Sequence, residues 1–542
     1  MKLNCDTTVR RRQAEPDPQA SFPQPGGRPV PTSFDQIAAA YAATADPARP
    51  GPVTAQHDRG KLSARERISL LCGDDFAEFG ALATPDLIAG QPHAENTCLH
   101  GDGVVTGTGF VDGRPVTIAA FDFTVLGGSN GDVGMRKIGR CIQTSLDDRI
   151  PLVLLCDGGG HRIQEGLDSR LAALGSTMLT RLVDLSGLVP TVAVMMGPGF
   201  GLATNLAALC DFVVMVRGIS TMGMSAAPFV KAGTGEELTN EQIGGADVQA
   251  RNGIADIAAD DEHEALDAVR AYLSYLPSAA DGDIPLGSGV ESSIDADALI
   301  PDSPRRAYDV RDVVEAISDA DSLFEIRGAA APNIVTCFAR IGGKAVGVVA
   351  NQPMHLGGSL DSGACEKAAH FIAVCDAFGL PLVLMIDLPG FLIGTAAESS
   401  QLGRRSGRLM HELAVATVPR YVIVMRKAYG AAYVAMGGGR SIDADLVVAW
   451  PTAEICAMPI DSAVDIAYRR QIEAADNPAA HRDAVIDRLR AGVNPLRAAS
   501  GFGIDNIITP GQTRAALIQA VRRARRRRDV RVPGKRRSIS PI

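Results

Sequence analysis

The chain repeats itself. The segment Gly113-Arg-Pro-Val-Thr-Ile-Ala-Ala-Phe-Asp122 returns as Gly343-Lys-Ala-Val-Gly-Val-Val-Ala-Asn-Gln352, at an offset of 230. The same offset pairs Leu126-Gly-Gly-Ser129 with Leu356-Gly-Gly-Ser359 and Lys137 with Lys367. It also pairs Pro151-Leu-Val-Leu154 with Pro381-Leu-Val-Leu384, and Asp157 with Asp387. An offset of 229 relates Pro190 to Pro419 and Gly201 to Gly430. One of 234 relates Asp211-Phe-Val-Val214 to Asp445-Leu-Val-Val448. A register held across so many elements means two copies of one fold in one chain.

Each copy reads the same way. A buried strand (VTIAAFDF; AVGVVANQ) leads into a Gly-rich turn and a helix (DVGMRKIGRCIQTSLD; GACEKAAHFIAVCDAF). An apolar strand (PLVLLCD; PLVLMID) and a second Gly-rich loop follow. A helix then leads to another strand (TVAVMMG; YVIVMRK) and a third small-residue turn (GFGLATNLAALC; AYGAAYVAMGG). Short apolar runs alternating with helical periods predict α/β architecture built from stacked β-β-α units.

Around this duplication the chain divides into five parts. Residues 1–33 are rich in Pro, Gly and Gln and read as a disordered leader; without an apolar core they form no secretory signal. Residues 34–277 hold the first copy, opening with helical sequence in which Ser63-Ala-Arg-Glu66 fits a capping box. Residues 278–305, rich in Gly, Ser, Asp and Pro, read as a linker. Residues 306–518 hold the second copy. Residues 519–542 form a basic tail, read as a solvated helix end rather than as a site for RNA or a membrane surface.

Composition narrows the partners. A net charge of −9 argues against a nucleic-acid-binding protein. No apolar stretch reaches the length of a membrane span. The ten cysteines include no CxxC pair, so they read as reduced thiols of a cytoplasmic protein rather than as zinc ligands or disulfides.

The third turn carries the chemistry. Gly199-Phe-Gly-Leu-Ala203 opens a helix in the first copy, and Gly430-Ala-Ala432 opens one in the second. A helix start offers unpaired amides and a partial positive charge. Small residues let a substrate oxygen approach that backbone, so an oxyanion hole forms from main chain alone. There is no HExxH metal motif, no GxxxxGK[ST] phosphate loop and no GxGxxG after a strand, so neither a metal nor a nucleotide is expected here. Enolate chemistry fits better. One motif argues for hydrolysis: Gly127-Gly-Ser129-Asn-Gly131 matches GxSxG between a strand and a helix, with His161 nearby. The second copy reads Gly357-Gly-Ser359-Leu-Asp361 and breaks the pattern, so duplication explains the shared LGGS without catalysis.

At these residues the chain resembles the carboxyltransferase (β) subunits of biotin-dependent acyl-CoA carboxylases, of the propionyl-CoA carboxylase type. HDRGKLSARERISLL is similar to the family's N-terminal signature, and Asp157-Gly-Gly-Gly-His-Arg-Ile-Gln-Glu-Gly166 to its GGARIQEG loop. Asn351-Gln-Pro, DLPGFLIGT, RKAYGAAYVAMG and AWPTAEICAM resemble its second half. The resemblance covers about residues 34–518 and implies a tandem crotonase-like (ClpP/crotonase) superhelix.

It also implies a reaction. Carboxybiotin, carried by a partner α subunit with biotin carboxylase and carrier functions, delivers CO2. The ureido anion takes the α-proton of an acyl-CoA such as propionyl- or acetyl-CoA, and the enolate captures the CO2. Carried over, the thioester oxygen meets the Gly201 and Leu202 amides, and the biotin ureido oxygen meets those of Ala431 and Ala432. Gly159, Gly160, Arg162, Gly199, Phe200 and Ala203 fall at the acyl-CoA site, and Val434 at the position that tunes acyl size. Gly430 and Tyr433 fall at the biotin site. The resemblance implies a homo-oligomer, a hexamer built from dimers, with each site shared between the first half of one subunit and the second half of another.

The departures lie around the site. Leu202 and Ala431 each add a Cβ where the family has Gly, Gly158 and His161 replace Ser and Ala, and Pro459 replaces a Gly and removes an N–H. Two alternatives stay open: a biotin-dependent decarboxylase or transcarboxylase, and a non-catalytic structural homologue within a mixed carboxylase complex.

Overall fold

Two sheets, one per copy, carry the molecule. The computed structural model describes residues 33–85, 99–129, 131–158, 160, 162, 165, 178–301, 303 and 306–523. The leader up to residue 32, Gly159, His161 and the tail beyond 523 lie outside the described residues.

The first sheet runs β1 (Phe76–Glu78), β2 (Val104–Val111), β3 (Arg114–Phe121), β4 (Leu152–Cys156), β5 (Thr191–Met195), β7 (Phe212–Val216) and β9 (Ile257–Ala259) in that spatial order. β6 (Pro198–Phe200) and β8 (Thr221–Gly223) form a separate parallel pair. The second sheet runs β10 (Phe324–Ile326), β11 (Ile334–Ile341), β12 (Lys344–Asn351), β13 (Leu382–Leu388), β14 (Arg420–Tyr429), β15 (Leu446–Ala449) and β17 (Asn506–Ile507). β16 (Glu454–Cys456) pairs with the end of β14. In both sheets the first three strands are antiparallel and the rest parallel. β4, β5, β7 and β13 are buried at every residue, so both faces need cover. Helices Asp132–Asp148 and Ser362–Phe378 supply it after the matched LGGS turns.

The duplication reaches single side chains. Lys137 Nζ donates to the carbonyls of Gly101 and Val104, at 2.9 and 2.5 Å. Lys367 Nζ donates to those of Ala330 and Ile334, at 3.0 and 2.7 Å. Burial pushes both amines down to about 8.

The halves share a core. The cluster holding Val192, Phe212 and Tyr272 continues into Phe338, Phe371 and Ile372. Phe212 stacks on Tyr272 with centroids 4.3 Å apart, and Tyr272 meets Phe338 edge-on at 5.9 Å. Arg327 Nε reaches Asp256 across the halves at 2.7 Å. The Gly/Ser-rich segment after residue 278 is pinned to the second half: Leu286 bridges Lys344, Glu291 bridges Asp319, and Ala296 joins the second-half core.

Candidate active site

The first-half turn begins where β5 ends. β6 carries Gly199 and Phe200 to Gly201, and the helix Leu202–Ala208 follows. Gly201 sits at φ 65°, ψ −120°, a conformation essentially reserved for glycine. Its amide donates to the Gly223 carbonyl at 2.9 Å, and its carbonyl accepts from Asn205 at 3.2 Å. Gly201 is therefore the hinge of the turn and not one of its open donors. The Leu202 and Ala203 amides come next and meet no acceptor among the described residues. Of the expected Gly201–Leu202 pair only Leu202 keeps an open amide, and the Ala203 amide beside it is open as well. The Leu202 side chain packs against the first-half core.

The second-half turn is built differently. β14 runs unbroken to Tyr429, and the helix Gly430–Ala435 starts at once. Gly430 repeats the positive φ, at 67°. Ala431 and Ala432 follow it as Leu202 and Ala203 follow Gly201, at an offset of 229. Ala431 is exposed, Ala432 buried, and Val434 is 45% exposed. Tyr433, expected at the biotin site, turns inward. Its ring lies so close to Gly438 that a Cβ there would sit 2.0 Å from it, and its hydroxyl accepts the Gly439 amide. Pro459 opens the helix Ile460–Ala467 at φ −57°, without strain.

The loop after β4 reaches the first turn. Gly160, at φ 91°, lies beside the Phe200 carbonyl. Gly158 has no room for the serine usual in the family, since a Cβ would come within 2.1 Å of the Gly128 carbonyl. Arg162, expected to bind substrate, is 3% exposed and occupied internally. Its guanidinium pairs with Asp102 at 2.7 Å and Glu165 at 2.6 Å and donates to the Ser129 carbonyl at 3.1 Å. Arg162 thus anchors the loop on the LGGS turn, and its side chain is not open to a ligand. Ser129 Oγ accepts from Arg162 Nε at 3.3 Å, and among the described residues no histidine bonds it. Gly128 is pressed against the Asp157 carbonyl as Gly358 is against that of Asp387. Close packing of the turn explains LGGS in both halves.

The structure gathers Gly160, Gly199, Phe200, Leu202 and Ala203 at one turn, and Gly430, Ala431, Ala432 and Val434 at the other. Among the described residues no hydrogen bond or ion pair joins the two sets. Each has an exposed methionine close by: Met224, whose carbonyl faces Gly201, and Met458, which follows the Ala457 carbonyl that faces Gly430. Sequence reasoning missed Thr204, whose buried hydroxyl lies among the backbone groups of the first turn. A hydroxyl residue in the first turn of a mostly apolar helix was the available signal. No group of metal-ligating side chains occurs among the described residues.

A tandem pair of β-β-α superhelices, each ending in a glycine-hinged turn with open amides, defines a crotonase-like protein. Residues 55–539 match the carboxyl transferase domain, and the chain belongs to that family. It is 41% identical to the carboxyltransferase subunit of propionyl-CoA carboxylase from Haloferax mediterranei, over 88% of this chain and 93% of that protein. It is 39% identical to the propionyl-CoA carboxylase beta chain of Saccharopolyspora erythraea, over 90% and 92%. The transcarboxylase 12S crystal structure, a hexamer with methylmalonyl-coenzyme A and methylmalonic acid bound, superposes with a TM-score of 0.87 at 35% identity. That match covers 94% of this chain and 99% of that one.

Proposed function

We propose that this chain is the carboxyltransferase subunit of a biotin-dependent acyl-CoA carboxylase acting on propionyl-CoA or a related short acyl-CoA. The observation that carries this reading is the pair of matched turns, each with a glycine at positive φ followed by two early helix amides. The Leu202 and Ala203 amides hold the thioester oxygen and stabilise the enolate charge that develops there. Gly160 and Phe200 line the approach of the acyl-CoA. The Ala431 and Ala432 amides suit the ureido oxygen of biotin, and the exposed Ala431 with its small side chain leaves that oxygen a path. Carboxybiotin, when bound, supplies the carboxyl group and the base. Val434 presents an apolar wall to the acyl tail.

The biotin arrives on a partner α subunit that carries the biotin carboxylase and carrier functions. The chain works in the cytoplasm, a reading supported by its cysteines: of the ten, the eight among the described residues are free thiols. It assembles as a homo-hexamer built from dimers, each site shared between the first half of one copy and the second half of another. A transcarboxylase is the second reading, favoured by the likeness to transcarboxylase 12S.

The test is the reverse half-reaction. The purified chain is mixed with free biotin and a panel of malonyl-, methylmalonyl- and longer carboxyacyl-CoAs, and loss of the carboxyl group is followed by mass spectrometry. Biotin-dependent loss is expected, fastest with methylmalonyl-CoA. No turnover in a folded oligomer would overturn the catalytic assignment in favour of a structural subunit. Isolation of the native complex separates the two catalytic readings: a carboxylase co-purifies with a biotin carboxylase, a transcarboxylase without one.

A further inference from the structure

The Thr204 hydroxyl meets three main-chain groups around the first-half turn. It donates towards the Gly199 carbonyl at 2.7 Å and the Gly223 carbonyl at 2.8 Å, and it accepts the Gly223 amide at 2.8 Å. One proton serves the two carbonyls and a lone pair takes the amide. Gly223 also receives the Gly201 amide. The hydroxyl therefore closes a knot that joins β6, β8 and the start of the helix Leu202–Ala208. Thr204 is 7% exposed, so water does not readily replace it.

The need for such a clip follows from the strand. In the second half β14 is ten residues long and passes through the turn as one piece, pairing β15 first and β16 last. In the first half the same path is broken at Met196 and Gly197. β6 and β8 are three residues each and stand outside the main sheet. A three-residue parallel pair fixes little by itself. At the position matched to Thr204, 229 residues on, the second half has Tyr433, which faces Gly438 and Gly439 instead.

We propose that Thr204 is a positioning residue for the first-half oxyanion turn, its hydroxyl fixing where the Leu202 and Ala203 amides point. This rests on the assignment of those amides to the thioester oxygen. It is tested by comparing the full chain with Thr204→Val and Thr204→Ser in the biotin-dependent reverse half-reaction. Thr204→Val keeps the volume and removes the hydroxyl. Its kcat should fall about 10- to 100-fold, less than on deleting an oxyanion donor outright, with KM changed by less than about threefold. Thr204→Ser keeps the hydroxyl and should hold kcat within about threefold of the parent. Amide hydrogen exchange across residues 198–206 should quicken about tenfold or more in Thr204→Val and not in Thr204→Ser.

Exchange needs no turnover. If the parent chain fails with every thioester, the proposed function is at fault, and exchange alone decides the role of Thr204. Equal kcat in both variants, or exchange unchanged in Thr204→Val, would overturn the proposal. So would failure of Thr204→Val to fold while Thr204→Ser folds, because the hydroxyl would then serve the fold as a whole.

Discussion

Asp157 and Asp387 end matched strands, both buried, and the two halves neutralise them in different ways. Asp387 is met from the adjacent strand β14, where Arg426 Nε donates at 2.8 Å and the Lys427 amide at 3.1 Å, and by the Tyr308 hydroxyl at 3.0 Å. Asp157 has Gly197 where Asp387 has Arg426, and a Cβ on Gly197 would sit 1.9 Å from its oxygen. Its cations come from the N-terminal helical segment instead: Lys61 at 2.5 Å and Arg67 at 2.9 Å, with Gln56 at 3.1 Å. Arg67 goes on to Glu262 in the last helix of the half, at 2.5 Å. The first half thus takes both its cations from distant chain, while the second takes its cation from the adjacent strand β14 and only a hydroxyl, that of Tyr308, from further off. Burial pulls the Lys61 amine below its usual value even beside Asp157, so this tie is held in a dry site.

The largest effect should come from cutting that tie. Arg67 is fully buried and serves two carboxylates. Arg67→Met strands Glu262 and half of Asp157, and should cost about 3–5 kcal/mol in urea unfolding. Arg426→Met leaves the Tyr308 and Lys427 donors on Asp387 and should cost less, about 2–3 kcal/mol. Equal losses would mean that the two networks are equivalent after all.

A second contrast lies in the Asp-x-Val-Val motif. Asp211 is buried and accepts the Thr191 amide at 3.0 Å; burial pushes its carboxyl up to about 7. Asp445 accepts the Arg420 amide in the same way, at 2.9 Å, but is exposed. With the native value of Asp211 raised, the folded chain holds its proton between about pH 4 and 7 while the unfolded chain gives it up. Stability from this group is present below pH 4 and is lost as pH rises to 7. Asp211→Asn should therefore remove a downward slope of about 1 kcal/mol per pH unit between pH 5 and 7. Urea unfolding at stepped pH reads the slope.

These contrasts mark what the sequence could carry. Strand positions, the paired helices and the two matched small-residue turns were legible because each depends on neighbouring residues and recurs at a fixed offset. The offset of 229 also sets Ala431 and Ala432 against Leu202 and Ala203. Out of reach was the Gly201 amide bonding Gly223, 22 residues away, through strands too short to show a period. Arg162 was read from a motif as a ligand contact. Its partner Asp102 lies far off in the chain, and no local pattern announces the pair. The segment after 278 has a linker's composition, yet isolated bridges hold it to the second half.

The hinges offer the next test. At Gly201 an added Cβ meets its nearest atom, the Met224 carbonyl, at 4.0 Å, so Gly201→Ala probes backbone conformation with little clash. At Gly430 the Ala457 carbonyl lies at 3.3 Å, so strain and crowding add. Gly201→Ala should lower stability by about 1–2 kcal/mol and Gly430→Ala by slightly more. Both should cut the biotin-dependent half-reaction about 100-fold, because each moves a set of donors. A Gly201→Ala chain with full activity would remove the first turn from the mechanism.

The smallest effect separates two chemistries. Ser129 and Ser359 occupy matched LGGS turns, but only Ser129 completes GxSxG. Its hydroxyl holds a single long contact, 3.3 Å from Arg162 Nε, while the carbonyl of each serine does the structural bonding, Ser129 to Arg162 and Ser359 to Asn333. Ser129→Ala should therefore cost about 0.5 kcal/mol and leave the half-reaction within about twofold. Ser359→Ala should do no more. A nucleophilic serine would behave otherwise: its removal lowers kcat by several powers of ten and leaves folding untouched. Such a loss confined to Ser129→Ala would break the symmetry of the two turns and replace enolate chemistry with acyl transfer.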